Sequence, residues 1–276
     1  MGEFINTIVE MLSYPFMQRA IIVGILVSLC ASLLGTSLVL KRYSMIGDGL
    51  SHVGFAALAV AYALNMAPLA IAIPVCIVAA FLLLRMNENS KIKGDAATAL
   101  MCSGALAVGV MTVSLTTGMN TDVCNYMFGS ILAMSKSDVY ISVILSICVI
   151  VLFIVFYQRI FAVTFDENFA KATGTKANVF NMIIALLTAV TVVLGMRMMG
   201  TLLISSLIVF PSLGAMRVCK TFKHVIIVSV CISVVCFCAG IYASYIKSIP
   251  TGASIVIANI IVFFVLSIVE RLRGAK

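Results

Sequence analysis

The stretch Lys41-Arg-Tyr-Ser-Met-Ile-Gly-Asp-Gly-Leu-Ser-His-Val-Gly-Phe55 leads from two cations into an apolar run that contains a carboxylate and an imidazole. Asp48 and His52 are four residues apart, so on a helix they lie on one face, about 6 Å apart along the axis. Ionisable side chains inside a membrane span are costly to bury and usually mark a functional site. The stretch therefore predicts a functional pair within a membrane, provided that the chain crosses one.

The composition of the chain is that of a polytopic membrane protein. Of its 276 residues, 63% are hydrophobic and 10% are charged, whereas soluble domains carry roughly 25% charged residues. The net charge of +8 comes from basic residues that fall singly or in pairs between apolar runs, as is typical of cytoplasmic loops. No basic tract interleaved with aromatic residues occurs, so we expect membrane lipid and no nucleic acid among the partners.

Nine apolar runs approach the roughly 20 residues that a helix needs to cross a bilayer. They are residues 19–40, 46–64, 67–85, 95–117, 138–158, 177–196, 200–218, 224–245 and 251–270. The second and third runs are short and Pro211 interrupts the seventh, so a count of eight also fits. We predict an all-α, polytopic membrane protein with eight or nine transmembrane helices and a single transmembrane domain over residues 1–276.

Basic residues are concentrated in alternate loops, which predicts an N-terminus outside the membrane and a C-terminus inside it. This orientation places Lys41 and Arg42 on the cytoplasmic side. The segment 121–133 is too short to cross the bilayer, and turn-forming residues flank it. It is predicted to be a half-helix or re-entrant element on the outer side, covered by protein or lining a cavity.

A polar segment between the fifth and sixth runs predicts a short amphipathic helix on the cytoplasmic side. Asp166 and Glu167 suit a helix N-terminus, and Gly174 suits a C-terminal cap. Phe165 and Phe169, at i and i+4, would then share one exposed aromatic face. Such a face is typical of a docking element, although a simple linker fits the pattern equally well.

Asp48 and His52 form the one carboxylate–imidazole pair at ligand spacing within the predicted spans. Asp138 falls at a span end near water, and Arg197 can extend from an outer end to the interface. One hard oxygen and one borderline nitrogen suit Zn²⁺ or Mn²⁺ better than K⁺ or Ca²⁺. Two ligands are too few for a closed site, but a permeation path needs a weak site, and a symmetric dimer could supply the missing ligands.

Other interpretations of the pair stay open at this level. Asp48 could be an N-terminal helix charge satisfied by backbone N–H groups, with Ser51 beside it and His52 hydrogen-bonded to it. The pair could also relay protons in an ATPase-independent, proton-coupled carrier. An intramembrane hydrolase is disfavoured because the chain has no His-Glu-x-x-His motif, and it contains no nucleotide-binding P-loop.

Four segments in the same order resemble known membrane transport proteins. They are the opening stretch, Asp122-Val-Cys-Asn-Tyr-Met-Phe-Gly-Ser-Ile-Leu132, Phe165-Asp-Glu-Asn-Phe-Ala-Lys-Ala-Thr-Gly174 and Gly200-Thr-Leu-Leu-Ile-Ser-Ser-Leu-Ile-Val-Phe-Pro211. Together they cover nearly the whole chain and resemble the zinc/manganese ABC-transporter permeases. The resemblance implies an importer permease of the type II (vitamin B12/metal-chelate) kind, which is a transport subunit and not an enzyme.

The resemblance also implies partners, cargo and site residues. A homodimer in the bacterial plasma membrane would bind a cytoplasmic ATPase dimer and receive ions from an extracytoplasmic metal-binding protein. We expect the binding protein to dock near residues 118–136. Asp48 and His52 would hold the transported Zn²⁺ or Mn²⁺, with zinc favoured and no permanently bound cofactor. Gly49 departs from the Ala or Thr of many members and should loosen the helix by roughly 1 kcal/mol relative to Ala. The residues that match the ATPase-coupling segment are Phe165, Asp166, Glu167, Phe169, Ala170 and Gly174.

Overall fold

The computed structural model describes residues 2–89, 94–116 and 136–274, and every regular element among them is an α-helix. The predicted outer element at 121–133 lies outside the described residues. The helices are α1 (Gly2–Ser13), α2 (Pro15–Leu40), α3 (Ile46–Ala63), α4 (Pro68–Asn89), α5 (Gly94–Leu115), α6 (Lys136–Val155), α7 (Tyr157–Phe165), α8 (Glu167–Ala172), α9 (Ala177–Met199), α10 (Thr201–Val218), α11 (Phe222–Lys247) and α12 (Thr251–Gly274).

Nine helices of the described ranges are long and apolar enough to cross a membrane. They are α2 to α6 and α9 to α12. The count of nine therefore holds over these ranges, because α10 continues through Pro211 as one helix. The helix α2 begins at Pro15, earlier than the apolar run at 19 suggested, since proline is well suited to the first turn of a helix.

The turn from α2 into α3 is a hydrogen-bonded helix end. The Tyr43 N–H donates to the Leu38 carbonyl at 2.8 Å, and the Arg42 N–H donates to the Val39 carbonyl at 3.1 Å. Arg42 has φ +62°, the left-handed conformation that glycine usually supplies at this position. The turn reverses the chain within a few residues, and the first turn of α3 then carries Asp48.

Buried hydroxyl groups connect α2, α10 and α11. Ser212 Oγ lies 3.5 Å from Thr36 Oγ1 and 3.2 Å from Ser229 Oγ. Ser233 Oγ donates to the Ser28 carbonyl at 3.1 Å. Such interhelical hydrogen bonds hold membrane helices together where the hydrophobic effect between helices is absent. The three helices form one hydrogen-bonded group.

Small residues allow helices of the bundle to approach one another closely. A Cβ added to Gly35 on α2 would lie 2.0 Å from the Ile208 carbonyl oxygen on α10, so glycine is needed there for the two backbones to meet. A Cβ on Gly54 of α3 would lie 2.4 Å from Met196 Cε on α9. These contacts hold α10 against α2 and α3 against α9.

An ion pair joins α6 and α9. Arg197 Nη2 lies 2.8 Å from Asp138 Oδ2, and both side chains are largely buried. Both residues lie near the ends of their helices, as predicted, but Asp138 is buried and not near water, and Arg197 pairs with it. The two charges lie on adjacent helices and neutralise each other, because an unpaired charge is costly within an apolar bundle.

Candidate metal site

Asp48 and His52 lie on one face of α3, as the spacing predicted. Asp48 is in the first turn of the helix, and His52 follows one turn later. Asp48 Oδ1 and His52 Nε2 are 3.9 Å apart, which is too long for a hydrogen bond. Their side chains are 35% and 21% exposed. The pair is thus partly accessible, and its two ligand atoms leave space between them.

The Asp48 carboxylate is directed toward two other helices. Ser205 Oγ on α10 donates to Oδ1 at 3.3 Å, and Cys102 Sγ on α5 donates to Oδ2 at 3.7 Å. Ser51 Oγ instead donates to the backbone carbonyl of Asp48 at 2.7 Å. The interpretation of Asp48 as an N-terminal helix charge is right about its position, where the helix dipole favours a carboxylate. Its oxygens, however, contact side chains of α5 and α10.

Cys102 completes a group of three potential metal ligands that sequence reasoning missed. One ligand atom from each of Asp48, His52 and Cys102 lies within 4.8 Å of the others, and no other such group occurs in the part of the chain that the structure describes. No spacing rule links Cys102 to α3, because the two helices meet only through tertiary packing. A cysteine within an apolar run also looks like a small hydrophobic residue.

An apolar groove of about 540 Å³ opens beside Asp48. It lies between the start of α3, α10 and α12, and Ser205 lines it next to the carboxylate. Most of the other lining side chains are apolar, among them Phe210 and Ile257. The groove gives the carboxylate an open side through which a small cation could reach it.

The depth of Asp48 in the bundle follows from its contacts along α9. Lys41 contacts Asn181 near the start of α9, whereas Gly54 lies against Met196, 15 residues further along. Fifteen residues correspond to about 22 Å along α9, and the six residues from Asp48 to Gly54 correspond to about 9 Å along α3. Asp48 therefore lies above the level of Lys41. Its contacts with Cys102, eight residues after the start of α5, and with Ser205, four residues after the start of α10, place it away from the ends of those helices.

The predicted cytoplasmic helix exists but is shorter than expected. The Phe169 N–H donates to Asp166 Oδ1 at 2.9 Å, so Asp166 is the N-cap of α8. Gly174 follows the helix with φ +82°, as predicted for its C-terminal cap. Asp166 is extended, and Phe165 ends the preceding helix α7. The prediction of one helical face shared by Phe165 and Phe169 is therefore wrong, because the cap interrupts the helix between them.

The two phenylalanines are nevertheless both exposed, at 58% for Phe165 and 64% for Phe169. Phe165 packs edge-on against Phe222 of α11, with ring centroids 5.7 Å apart. Ala170 is fully buried in a small cluster with Phe180 and other apolar side chains. Ala170 therefore anchors α8 on the bundle, while Phe169 remains available to a partner.

Charged contacts connect α8 to the end of α2. Glu167 Oε2 lies 3.5 Å from Lys41 Nζ and accepts a hydrogen bond from Asn181 Nδ2 at 3.2 Å. Lys41 Nζ also donates to Asn181 Oδ1, and Lys171 Nζ lies 2.8 Å from Glu167 Oε1. Burial alone would raise the pKa of Glu167, but hydrogen bonds from Lys171 and Asn181 and the charges of Lys41 and Lys171 outweigh it and lower that pKa.

Comparison with protein families places this architecture among transport proteins. The model of the ABC 3 transport family matches residues 13–270. The chain is 28% identical to the manganese transport system membrane protein MntC of Listeria monocytogenes, over 92% of the chain and 91% of that protein. It is also 28% identical to the high-affinity zinc uptake system membrane protein ZnuB of Haemophilus influenzae, over 94% of the chain and 99% of that protein.

Solved structures give the same comparison in three dimensions. The fold is similar to PsaBC from Streptococcus pneumoniae in complex with Fab, with a TM-score of 0.85, 27% identity and coverage of 96% of this chain and 94% of the other. It is also similar to an inward-facing structure described as a putative metal-chelate type ABC transporter, with a TM-score of 0.75, 13% identity and coverage of 91% and 85%. The second likeness concerns the fold alone.

Proposed function

The chain belongs to the ABC 3 transport family, and from that premise we propose that it is the permease subunit of an ATP-driven importer of divalent transition-metal ions, with zinc as the first candidate and manganese as the second. Family membership confirms the resemblance to metal ABC-transporter permeases, and the structural neighbours confirm the all-α, metal-chelate-type fold. The chain is a multi-pass membrane protein. Its description as a single domain over residues 1–276 stays a prediction.

One observation carries this proposal: Asp48 and His52 lie together deep in the bundle, 3.9 Å apart and beside an open groove. A carboxylate oxygen and an imidazole nitrogen are good ligands for zinc and manganese. Two ligands from α3 hold an ion weakly enough for it to leave again, as transport requires. In this proposal the ion is cargo, and the protein keeps no permanent cofactor.

The cytoplasmic helix α8 would connect this site to ATP hydrolysis on a separate subunit. Phe169 is exposed for docking, and Glu167 contacts Lys41 at the end of α2. Lys41 precedes Asp48 by seven residues in the sequence. A displacement of α8 by the ATPase can therefore reach the turn that leads into the metal-binding helix. The docking residues Phe165, Asp166, Glu167, Phe169, Ala170 and Gly174 remain proposals in this role.

The remaining partners follow from the family. We propose a homodimer that brings two Asp48–His52 pairs to one path, a cytoplasmic ATPase dimer, and an extracytoplasmic metal-binding protein that delivers the ion. The chain itself hydrolyses nothing in this proposal. ZnuB is a zinc uptake protein and MntC is a manganese transport protein, and both relatives support a metal cargo.

The test is metal uptake by the complete transporter reconstituted with its ATPase and binding protein. Asp48→Asn and His52→Ala should abolish ATP-dependent accumulation of zinc and manganese while the complex still assembles. His224→Ala is a matched control, because His224 is the other histidine of the chain and is exposed at the start of α11, where its Nδ1 contacts Thr221. Normal uptake in both site variants would overturn the site assignment.

The coupling of metal transport to ATP hydrolysis is tested on the same reconstituted transporter. Phe169→Asp should abolish transport and metal-stimulated ATP turnover, because a charge replaces an exposed apolar contact, whereas Phe169→Leu should retain both. The proposal of an ATP-driven importer would be contradicted by gradient-driven metal flux through this chain alone, without an ATPase. Flux driven by a proton gradient in this experiment would establish the ATPase-independent, proton-coupled carrier instead.

A further inference from the structure

The thiol of Cys102 lies beside the proposed ion site on a different helix. Its Sγ is 3.7 Å from Asp48 Oδ2, and the three ligand atoms of Asp48, His52 and Cys102 lie within 4.8 Å of one another. We infer that Cys102 is the third protein ligand of the transported ion and that it makes the site selective for thiophilic divalent cations of the zinc type over manganese. This inference rests on the proposed function.

The separations between the ligand atoms fit one shared ion. Zinc bonds to nitrogen and oxygen are about 2.0–2.2 Å and those to sulfur about 2.3 Å, so ligands in a tetrahedral site lie roughly 3.3–3.6 Å apart. The structure has 3.7 Å from Cys102 Sγ to Asp48 Oδ2 and 3.9 Å from His52 Nε2 to Asp48 Oδ1. These two distances end on different oxygens of Asp48, and the three ligand atoms are no more than 4.8 Å apart. The side chains must therefore approach one another by about 1 Å to share one zinc ion, and a fourth position stays free.

The close approach of α3 and α5 is what brings the thiol to the carboxylate. A Cβ on Gly49 would lie 2.9 Å from Thr98 Cγ2, and a Cβ on Gly109 would lie 2.5 Å from the ring of Phe55. A bare backbone on each helix therefore permits this contact. Cys102 lies one helical turn after Thr98 and so comes level with the turn of α3 that follows Asp48. This gives Gly49 a role that its low helix propensity alone did not suggest.

The hydrogen bond of Cys102 differs from those of the fully buried cysteines. Cys30 Sγ donates to the Ser146 carbonyl at 3.4 Å, and Cys76 Sγ donates to the Leu50 carbonyl at 3.6 Å. Both are buried, as structural thiols usually are. Cys102 is instead partly exposed and donates to a carboxylate that is itself a potential metal ligand. Packing accounts for the first two thiols but not for this arrangement.

The charge of the resulting complex favours a thiophilic ion. When a divalent cation binds, the thiol loses its proton to solvent water, since the thiolate is the metal ligand. One thiolate and one carboxylate then neutralise the two positive charges, with His52 bound as neutral imidazole. A neutral complex is far less costly beside an apolar groove than a charged one. Manganese prefers oxygen ligands and gains little from the sulfur.

The experiment compares Cys102→Ser with Cys148→Ser in the complete reconstituted transporter. Cys148 is an exposed cysteine on α6 and serves as the matched control. The Cys102 variant should lose about tenfold or more of its zinc uptake relative to manganese uptake, in line with the affinity lost when zinc sites lose even supporting groups. The Cys148 variant should keep the wild-type ratio.

Two binding measurements test directly whether Cys102 is a ligand of the metal ion. Added Co²⁺ should give a thiolate-to-metal charge-transfer absorption that Cys102→Ser abolishes and Cys148→Ser retains. In a variant whose other cysteines are replaced by serine, Zn²⁺ should slow alkylation of Cys102 by a maleimide more than Mn²⁺ does. These readouts need only a folded, detergent-solubilised complex and are independent of turnover.

The outcomes separate this inference from the proposed function. An unchanged zinc-to-manganese ratio together with an unchanged cobalt absorption in Cys102→Ser would show that Cys102 is not a ligand, even if Asp48→Asn abolishes uptake. Normal metal uptake in Asp48→Asn and His52→Ala would instead remove the site itself. Thermal unfolding of Cys102→Ser identifies a variant that has merely lost its fold, and Cys102→Ala then takes its place in the same assays.

Discussion

Replacing Glu167 by Gln should weaken both the stability of the protein and its response to the ATPase. The Lys41 side chain is only 8% exposed, and Glu167 is the carboxylate that lies 3.5 Å from its ammonium group. The Gln side chain keeps the size and hydrogen-bonding capacity of Glu but removes the negative charge. The buried ammonium of Lys41 then loses its ion pair with Glu167, and α8 loses a charged contact with the end of α2.

The size of the destabilisation caused by Glu167→Gln depends on how exposed the two partners of the ion pair are. Removing one partner of a fully buried ion pair destabilises a protein by roughly 3–5 kcal/mol. Glu167 is 35% exposed, so solvent screens part of that effect, and we expect about 2 kcal/mol. For a chain of this size that corresponds to a fall in Tm of about 5 °C. Lys171→Met breaks the exposed pair with the same carboxylate and should cost only about 0.4 kcal/mol.

The assay is thermal unfolding of the detergent-solubilised protein for Glu167→Gln, Lys41→Met, their double variant and Lys171→Met. The double variant should be less destabilised than the sum of the single variants, because each single variant already includes the loss of the Lys41–Glu167 ion pair. Metal-stimulated ATP turnover of the reconstituted complex should fall in Glu167→Gln and stay near normal in Lys171→Met. Equal losses of Tm in Glu167→Gln and Lys171→Met, or strictly additive effects in the double variant, would refute this reasoning.

Other predictions concern pH and backbone geometry. Because the pKa of folded Glu167 is below its ordinary 4.5, its stabilising contribution is present above pH 4.5 and is lost as the pH falls through the lowered value, so the Tm of the wild type should fall more steeply below pH 4.5 than that of Glu167→Gln. Arg42→Gly should raise the free energy of unfolding by up to about 1 kcal/mol, since glycine adopts φ +62° without strain; a clear fall in Tm would contradict this. Gly35→Ala should lower the free energy of unfolding by about 1–3 kcal/mol, because its Cβ would lie 2.0 Å from the Ile208 carbonyl oxygen. The Cβ of Gly214→Ala would meet only two side-chain methyl groups, of Leu266 at 3.2 Å and Ile232 at 3.8 Å, so this variant should have little effect on the same unfolding curve.

The membrane spans could be predicted from the sequence because length and apolarity alone decide them. The run at 251–270 corresponds to α12, Thr251–Gly274, and the run at 46–64 corresponds to α3, Ile46–Ala63. The continuity of α10 through Pro211 could not be read from the sequence, since tertiary packing in a membrane can compensate for the hydrogen bond that proline removes.

The candidate site was only half predictable for a related reason. Asp48 and His52 share one helix, so their spacing was sufficient to bring them together. Cys102 and Ser205 reach Asp48 from α5 and α10, and such contacts depend on which helices become neighbours. The pairing of Asp138 with Arg197 was hidden in the same way. The sequence correctly predicted that a helix starts at Asp166. Because Asp166 caps that helix, however, Phe165 belongs to the preceding helix and does not share a helical face with Phe169.

The hydroxyl groups shared by α2, α10 and α11 also bear on the biogenesis of the protein. A helix that enters the bilayer before its neighbours must satisfy its own polar side chains. Thr36 Oγ1 lies 3.4 Å from the Ser32 carbonyl one turn earlier, and Ser206 Oγ donates to the Leu203 carbonyl at 2.9 Å. Such bonds within one helix lower the cost of inserting serine and threonine, and a rotation about χ1 can later redirect a hydroxyl to an adjacent helix. Thr36, which bonds within α2 and lies beside Ser212 of α10, thus both lowers the cost of inserting its helix and helps to select that helix's neighbour during assembly.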